Sequence, residues 1–147
     1  GDEGSGAWLG LEAIRLTLQW QDGRIPASPL LEDIFQHFEN DLVQLSIWAN
    51  QAQSSQFAQM APFVVDRVRQ QDPLALELIQ KAAWEIDKIG TALEKKSRKV
   101  LPCSLLGGMA PFIEPWLSEG LRSRLVPSQS DAVRGAIIMI RHARTNF

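Results

Sequence analysis

Hydrophobic residues recur along most of the chain at three- and four-residue steps, the spacing that lines up one face of an α-helix. After Ser5, Leu11, Ile14 and Leu18 fall on one such face, and Asp22-Gly23 supplies a turn to end it. Pro26 and Pro29 mark a loop, and Ser28 is placed to cap a short helix carrying Leu31, Ile34, Phe35 and Phe38. Asn40 or Asp41 restarts the pattern through Trp48. The polar stretch NQAQSSQF follows, and then Phe57, Met60, Val64 and Val68 resume helical spacing, with Pro62 implying a kink or a late start. The clearest helix begins at Asp72 as cap and Pro73 as first residue. Its expected buried stripe is Leu78, Ala82, Ile86, Ile89 and Leu93, and Lys95 and Lys96 suit its negative end.

The pattern then changes character. KVLPCSLLGG is a short apolar run that predicts a buried strand from Cys103 to Leu106, starting beside Pro102, which cannot donate to a ladder. A broken helical stretch, MAPFIEPWLSEGLRSRL, leads to a second short strand at RLVP. A final helix follows, with Ser130 as cap and Val133, Ala136, Ile137 and Ile140 turned inward. Strand, helix, strand, helix after a helical first part is an α/β order. Two short strands do not make a self-sufficient parallel sheet, so the remaining strands are expected upstream of this chain. The polar start without Met likewise suggests a piece of a longer protein.

Composition narrows the range of functions. At 147 residues and 45% hydrophobic, the chain suits one domain. A formal charge of −2 provides no broad positive field, which disfavours nucleic acid and anionic membrane surfaces as partners. Cys103 is the single cysteine, so an intrachain disulfide and a cysteine-based metal cluster are excluded, and a reducing cytoplasm fits best. No apolar run reaches the roughly 18 residues of a membrane span.

Two motifs are candidates for chemistry. In GDEGSG, Gly1, Gly4 and Gly6 permit tight backbone geometry, while Asp2 and Glu3 offer acceptors to hydroxyl groups or a hydrated cation. The same residues also suit a polar turn whose acids favour the positive end of the following helix. In SLLGGMAPF, Gly107 and Gly108 at the end of the expected strand let a ligand approach the backbone where open α/β sheets bind ligands. A plain tight turn reads alike, and no GxxxxGK[ST] loop accompanies it. His37 and His142 lack ligand-spaced partners, and the five Trp residues fall in or beside apolar helical patterns that suit core packing.

Taken in order, four stretches resemble the N-acetylglucosamine kinase and glucosamine kinase group of the actin-like, ribonuclease H-like ATPases. GDEGSGAWLGLEAI is similar to that group's sugar-site turn and following helix, and FAQMAPFVVDRVRQQDPLA to its central helical segment. LLGGMAPF is similar to its adenosine loop, and VPSQSDAVRGAIIMI to its closing strand and helix. The resemblance covers nearly the whole chain. It implies a two-lobed kinase with ATP and sugar in the cleft, residues 1–147 being part of the helix-rich C-terminal lobe. The phosphate loops and the catalytic aspartate would lie in the preceding part, so no catalytic residue and no protein metal ligand is expected here, and the chain alone is expected to be inactive. Asp2 and Glu3 would then bind sugar hydroxyls, Gly107 and Gly108 would border adenosine, and residues 55–61 would lie near the adenine. The implied cofactors are ATP and Mg²⁺. The implied partners are an amino sugar and the N-terminal lobe, with a homodimer left open. Two rival classes remain at this stage. One is an activating ATPase of a dehydratase or reductase, against which the single cysteine counts; the other is a nonenzymatic helical interaction domain.

Overall fold

The computed structural model describes residues 2–128 and 132–145. Nine α-helices run in order through them: α1 (Gly6–Gln21), α2 (Pro29–His37), α3 (Leu42–Gln51), α4 (Ser54–Ala58), α5 (Ala61–Arg69), α6 (Pro73–Ser97), α7 (Ala110–Ile113), α8 (Glu119–Arg122) and α9 (Ala132–Thr145). The caps explain most of the boundaries. Ser5 Oγ accepts the Trp8 N–H at 3.0 Å to open α1, Ser28 Oγ accepts the Leu31 N–H, and Asp41 accepts from Val43 and Gln44. Pro62 and Pro73 sit in the first turns of α5 and α6, where a missing N–H costs nothing. Pro62 therefore marks the late start of α5 after the short α4.

α1 is the hub, packed against α2, α4, α5 and α6. Its Leu9, Ala13 and Ile14 meet Leu30 and Ile34 of α2, Val64 of α5, and Ala75, Ile79 and Ala82 of α6 in one buried cluster. Each large aliphatic side chain enclosed there contributes about 1.5–3 kcal/mol of burial free energy. Beside it an aromatic chain runs Phe38–Trp48–Phe57, with edge-to-face ring centroids 5.1 and 5.3 Å apart. This accounts for Trp48 as a packing residue. Trp84, by contrast, is 58% exposed, with the Lys88 ammonium 4.1 Å from its ring centroid. Arg67 of α5 makes a forked ion pair with Asp33 of α2, and those hydrogen bonds hold its guanidinium above its ordinary pKa.

Three sequence expectations are corrected. The buried stripe of α6 stops early: Leu78 and Ala82 are inside, but Ile89 and Leu93 are exposed. Beyond Gly90, against which Leu121 of α8 packs, the helix outruns the elements that would cover it. The two expected strands reduce, among the described residues, to one parallel bridge between Cys103 and Leu125. The Cys103 N–H donates to the Arg124 carbonyl at 2.9 Å and its carbonyl accepts from Val126 at 2.8 Å. Both stretches run into proline or glycine within a few residues, and no neighbouring strand extends the pairing. Lastly, Val133, Ile137 and Ile140 of α9, expected to face inward, are exposed. Ser130, the expected cap, lies outside the described residues, as do the side chains of Ala136 and His142.

Candidate functional site

The first turn of the site is built by Gly4. It has φ +86°, and a Cβ there would stand 2.9 Å from Ile86 Cδ1 and 3.1 Å from the Ala82 carbonyl, so only glycine seats the turn directly on α6. The Ser5 N–H donates to the Asp2 carbonyl at 3.0 Å and closes the turn ahead of α1. Asp2 and Glu3 stand exposed on its outer side. A hydrogen bond from its own backbone N–H lowers the pKa of Glu3.

The second turn is the glycine loop before α7. Gly107 has φ +104°, its carbonyl accepts the Ala110 N–H at 3.2 Å, and no other group comes within 4 Å of a Cβ placed at Gly107 or Gly108. The backbone there is open to a ligand. Behind it the Cys103–Leu125 bridge fixes the loop's approach, reinforced by Ser104 Oγ, which donates to the Val126 carbonyl at 2.8 Å. Arg124 ties the bridge to α6 through Glu94 at 2.9 Å, and its guanidinium also lies 3.3 Å from the half-buried Cys103 Sγ.

These two turns, far apart in the sequence, face one another. Gly4, Ser5 and Gly6 share a cavity of about 280 Å³ with Leu106, Gly107 and Gly108. A second cavity, of about 480 Å³, opens alongside, between the start of α1, α4, α5 and α7. Its walls are mainly apolar, with Ala58, Ala61, Val65, Met109 and Phe112, and its charged residues are Asp66 and Arg69. Gly6, Gly108 and Met109 belong to both walls, so the cavities adjoin. The larger one lies within the size range of small-molecule sites, and its lining has the usual composition, apolar with a few polar groups.

Of the residues singled out from sequence, Gly107 and Gly108 line these cavities, and so do Ala58 and Ala61 from the 55–61 segment. Asp2 and Glu3 do not; they precede Gly4 on the exposed side of the turn. Sequence reading missed Asp66, Arg69 and Phe112. A signal was present, because Pro62, Val65, Asp66 and Arg69 fall at i, i+3, i+4 and i+7 and so share one helix face.

No known family model matches the chain. It is 34% identical over 137 residues to the glucosamine kinase GspK of Vibrio cholerae serotype O1, a match covering 93% of this chain and 46% of that protein. Its fold superposes with a TM-score of 0.84, at 38% identity, on the crystal structure of a Chromobacterium violaceum protein provisionally assigned as an N-acetylglucosamine kinase. That match covers 94% of this chain and 47% of the other. The chain is a relative of the glucosamine and N-acetylglucosamine kinase group. It spans about half the length of the relatives it matches.

Proposed function

We propose that this chain forms the sugar-turn and adenosine-binding part of a two-lobed, actin-like kinase that transfers the γ-phosphoryl group of ATP to the 6-hydroxyl of glucosamine or N-acetylglucosamine. The observation that carries the reading is the lining shared by two adjoining cavities, Gly6, Gly108 and Met109, which brings the start of α1, just after the acidic turn, beside the glycine loop. Phosphoryl transfer depends chiefly on alignment and charge stabilisation. A scaffold that holds the acceptor at one end and the nucleotide at the other does that alignment. In this reading the adenosine occupies the larger cavity, the phosphates run past Gly107 and Gly108, and Asp2 and Glu3 accept hydrogen bonds from sugar hydroxyls as the second lobe closes.

In this reading Mg²⁺ would be held chiefly by the ATP phosphates and waters. The catalytic aspartate and the phosphate loops fall to the other lobe. The exposed apolar residues of α9, with Leu106 and Val126, give that remainder a surface to pack on.

The test is a coupled ADP-release assay on the natural full-length protein with glucosamine and N-acetylglucosamine. Sugar-dependent ADP release is expected with one or both. Asp2→Ala is expected to raise the sugar KM about tenfold or more, the loss of a charged hydrogen-bond partner, with the ATP KM unchanged. No sugar-dependent release with either sugar defeats the kinase reading, and unchanged sugar kinetics in the variant defeat the role of Asp2.

A further inference from the structure

Arg69 and Phe112 come from different helices, α5 and α7, and meet at the larger cavity. The Arg69 guanidinium carbon lies 5.5 Å from the centroid of the Phe112 ring, within cation–π distance. On its other side Arg69 Nη1 donates to Asp66 Oδ1 at 2.9 Å. A ring and a carboxylate thus hold a planar cation in place at the border of a cavity whose other walls are apolar. Surface Arg–Asp pairs one helical turn apart are worth little for stability, and both side chains here are more than half exposed. Their placement calls for a different role.

We propose that Arg69, braced by Asp66 and lying against Phe112, is the stacking wall that selects a purine nucleobase in this cavity. The inference deepens the kinase reading and rests on it for the orientation of the nucleotide. On that reading the phosphate end runs toward Gly107 and Gly108, which leaves the base beside Arg69 and Asp66. A guanidinium plane stacks on the face of an aromatic base, and its bracing means that little freedom is lost when the base arrives. Asp66 accepts a hydrogen bond only, which suits an exocyclic amine such as that of adenine.

The experiment is a calorimetric titration of the full-length protein and its Arg69→Ala and Arg69→Lys variants with ADP, and in parallel with inorganic tripolyphosphate, which lacks the base. Steady-state kinetics accompany it. ADP binding is expected to weaken about tenfold in Arg69→Ala and severalfold in Arg69→Lys, which keeps the charge but loses the plane. Tripolyphosphate binding and the sugar KM should stay within about twofold, and ATP should lose part of its advantage over pyrimidine nucleotides. Equal ADP affinity in wild type and Arg69→Ala overturns the stacking wall while leaving the kinase reading intact. A parallel loss of ADP, tripolyphosphate and sugar binding with a lowered melting temperature assigns Arg69 a structural role and also overturns it. A wild-type protein that binds no nucleotide overturns both.

Discussion

Gly10 sits where α1 crosses α4, and a Cβ placed on it would stand 1.8 Å from the Phe57 carbonyl oxygen. Backbone, unlike a flexible side chain, cannot swing aside. Gly10→Ala must therefore push the two helices apart, with an expected loss of about 3 kcal/mol or more, at or beyond the upper end of ordinary overpacking. Gly90→Ala is a matched comparison: its Cβ would meet the end of the Leu121 side chain at 2.8 Å, which can change rotamer, so a loss below about 1 kcal/mol is expected. Urea unfolding of the two variants measures the difference, and equal losses would contradict the close crossing at Gly10. The crossing explains why a glycine stands inside a helix that periodicity alone reads as continuous. Nothing in the single sequence marks Gly10 apart from any other helical glycine, because the atom it makes room for lies in α4, beyond α2 and α3 in the chain.

Element by element, the caps were the most legible features. Ser28 and Asp72 cap where the sequence predicts, Asp41 rather than Asn40 restarts the chain at α3, and Ser5, not singled out from sequence, caps α1 by the same chemistry, which is decided within three residues. Asp72 also does what spacing cannot reveal. Buried at 4% exposure, it accepts the Leu74 and Ala75 N–H groups of α6 with one oxygen and the Leu30 N–H at the start of α2 with the other. Asp72→Ala should therefore cost about 2–4 kcal/mol, since it strands a buried N–H as well as uncapping α6, whereas Asp72→Asn should recover part of the loss. Thermal unfolding of the pair checks this; a loss confined to about 1 kcal/mol would mean that only the α6 cap matters. The stripe on α6 illustrates the opposite case. Periodicity correctly placed Leu78 and Ala82 inside, but it could not report that the helix extends past its cover, leaving Ile89 and Leu93 in solvent.

For the molecule as a whole, the exposed apolar residues are grouped toward the end of the chain. Ile137 and Ile140 of α9 are 45% and 59% exposed, along with Leu106 and Val126 beside the parallel bridge. The strand expected in KVLPCSLLGG is reduced to one isolated bridge, Cys103 with Leu125, which is parallel. What sequence could not supply was the neighbours that would turn one bridge into a sheet. On the two-lobe reading, Ile137→Ser with Ile140→Ser should change the stability of the 147-residue chain by no more than about 0.5 kcal/mol. In the full-length protein the same pair should cost about 3–6 kcal/mol, the burial of two isoleucine side chains. Denaturant titrations of both forms compare the values, and equal small effects would argue against a covering lobe.

Gly6 contributes a backbone surface to both cavities, with Met109 Cγ 3.5 Å and Ala61 Cβ 3.6 Å from where its side chain would be. Gly6 is thus one of three residues, with Gly108 and Met109, that border both cavities. On the kinase reading, any substitution that reshapes the turn to admit a bulkier acceptor would also move the surface presented to the nucleotide. Engineering of acceptor preference at this end should come with altered donor affinity, the two being adjustable together but not one at a time.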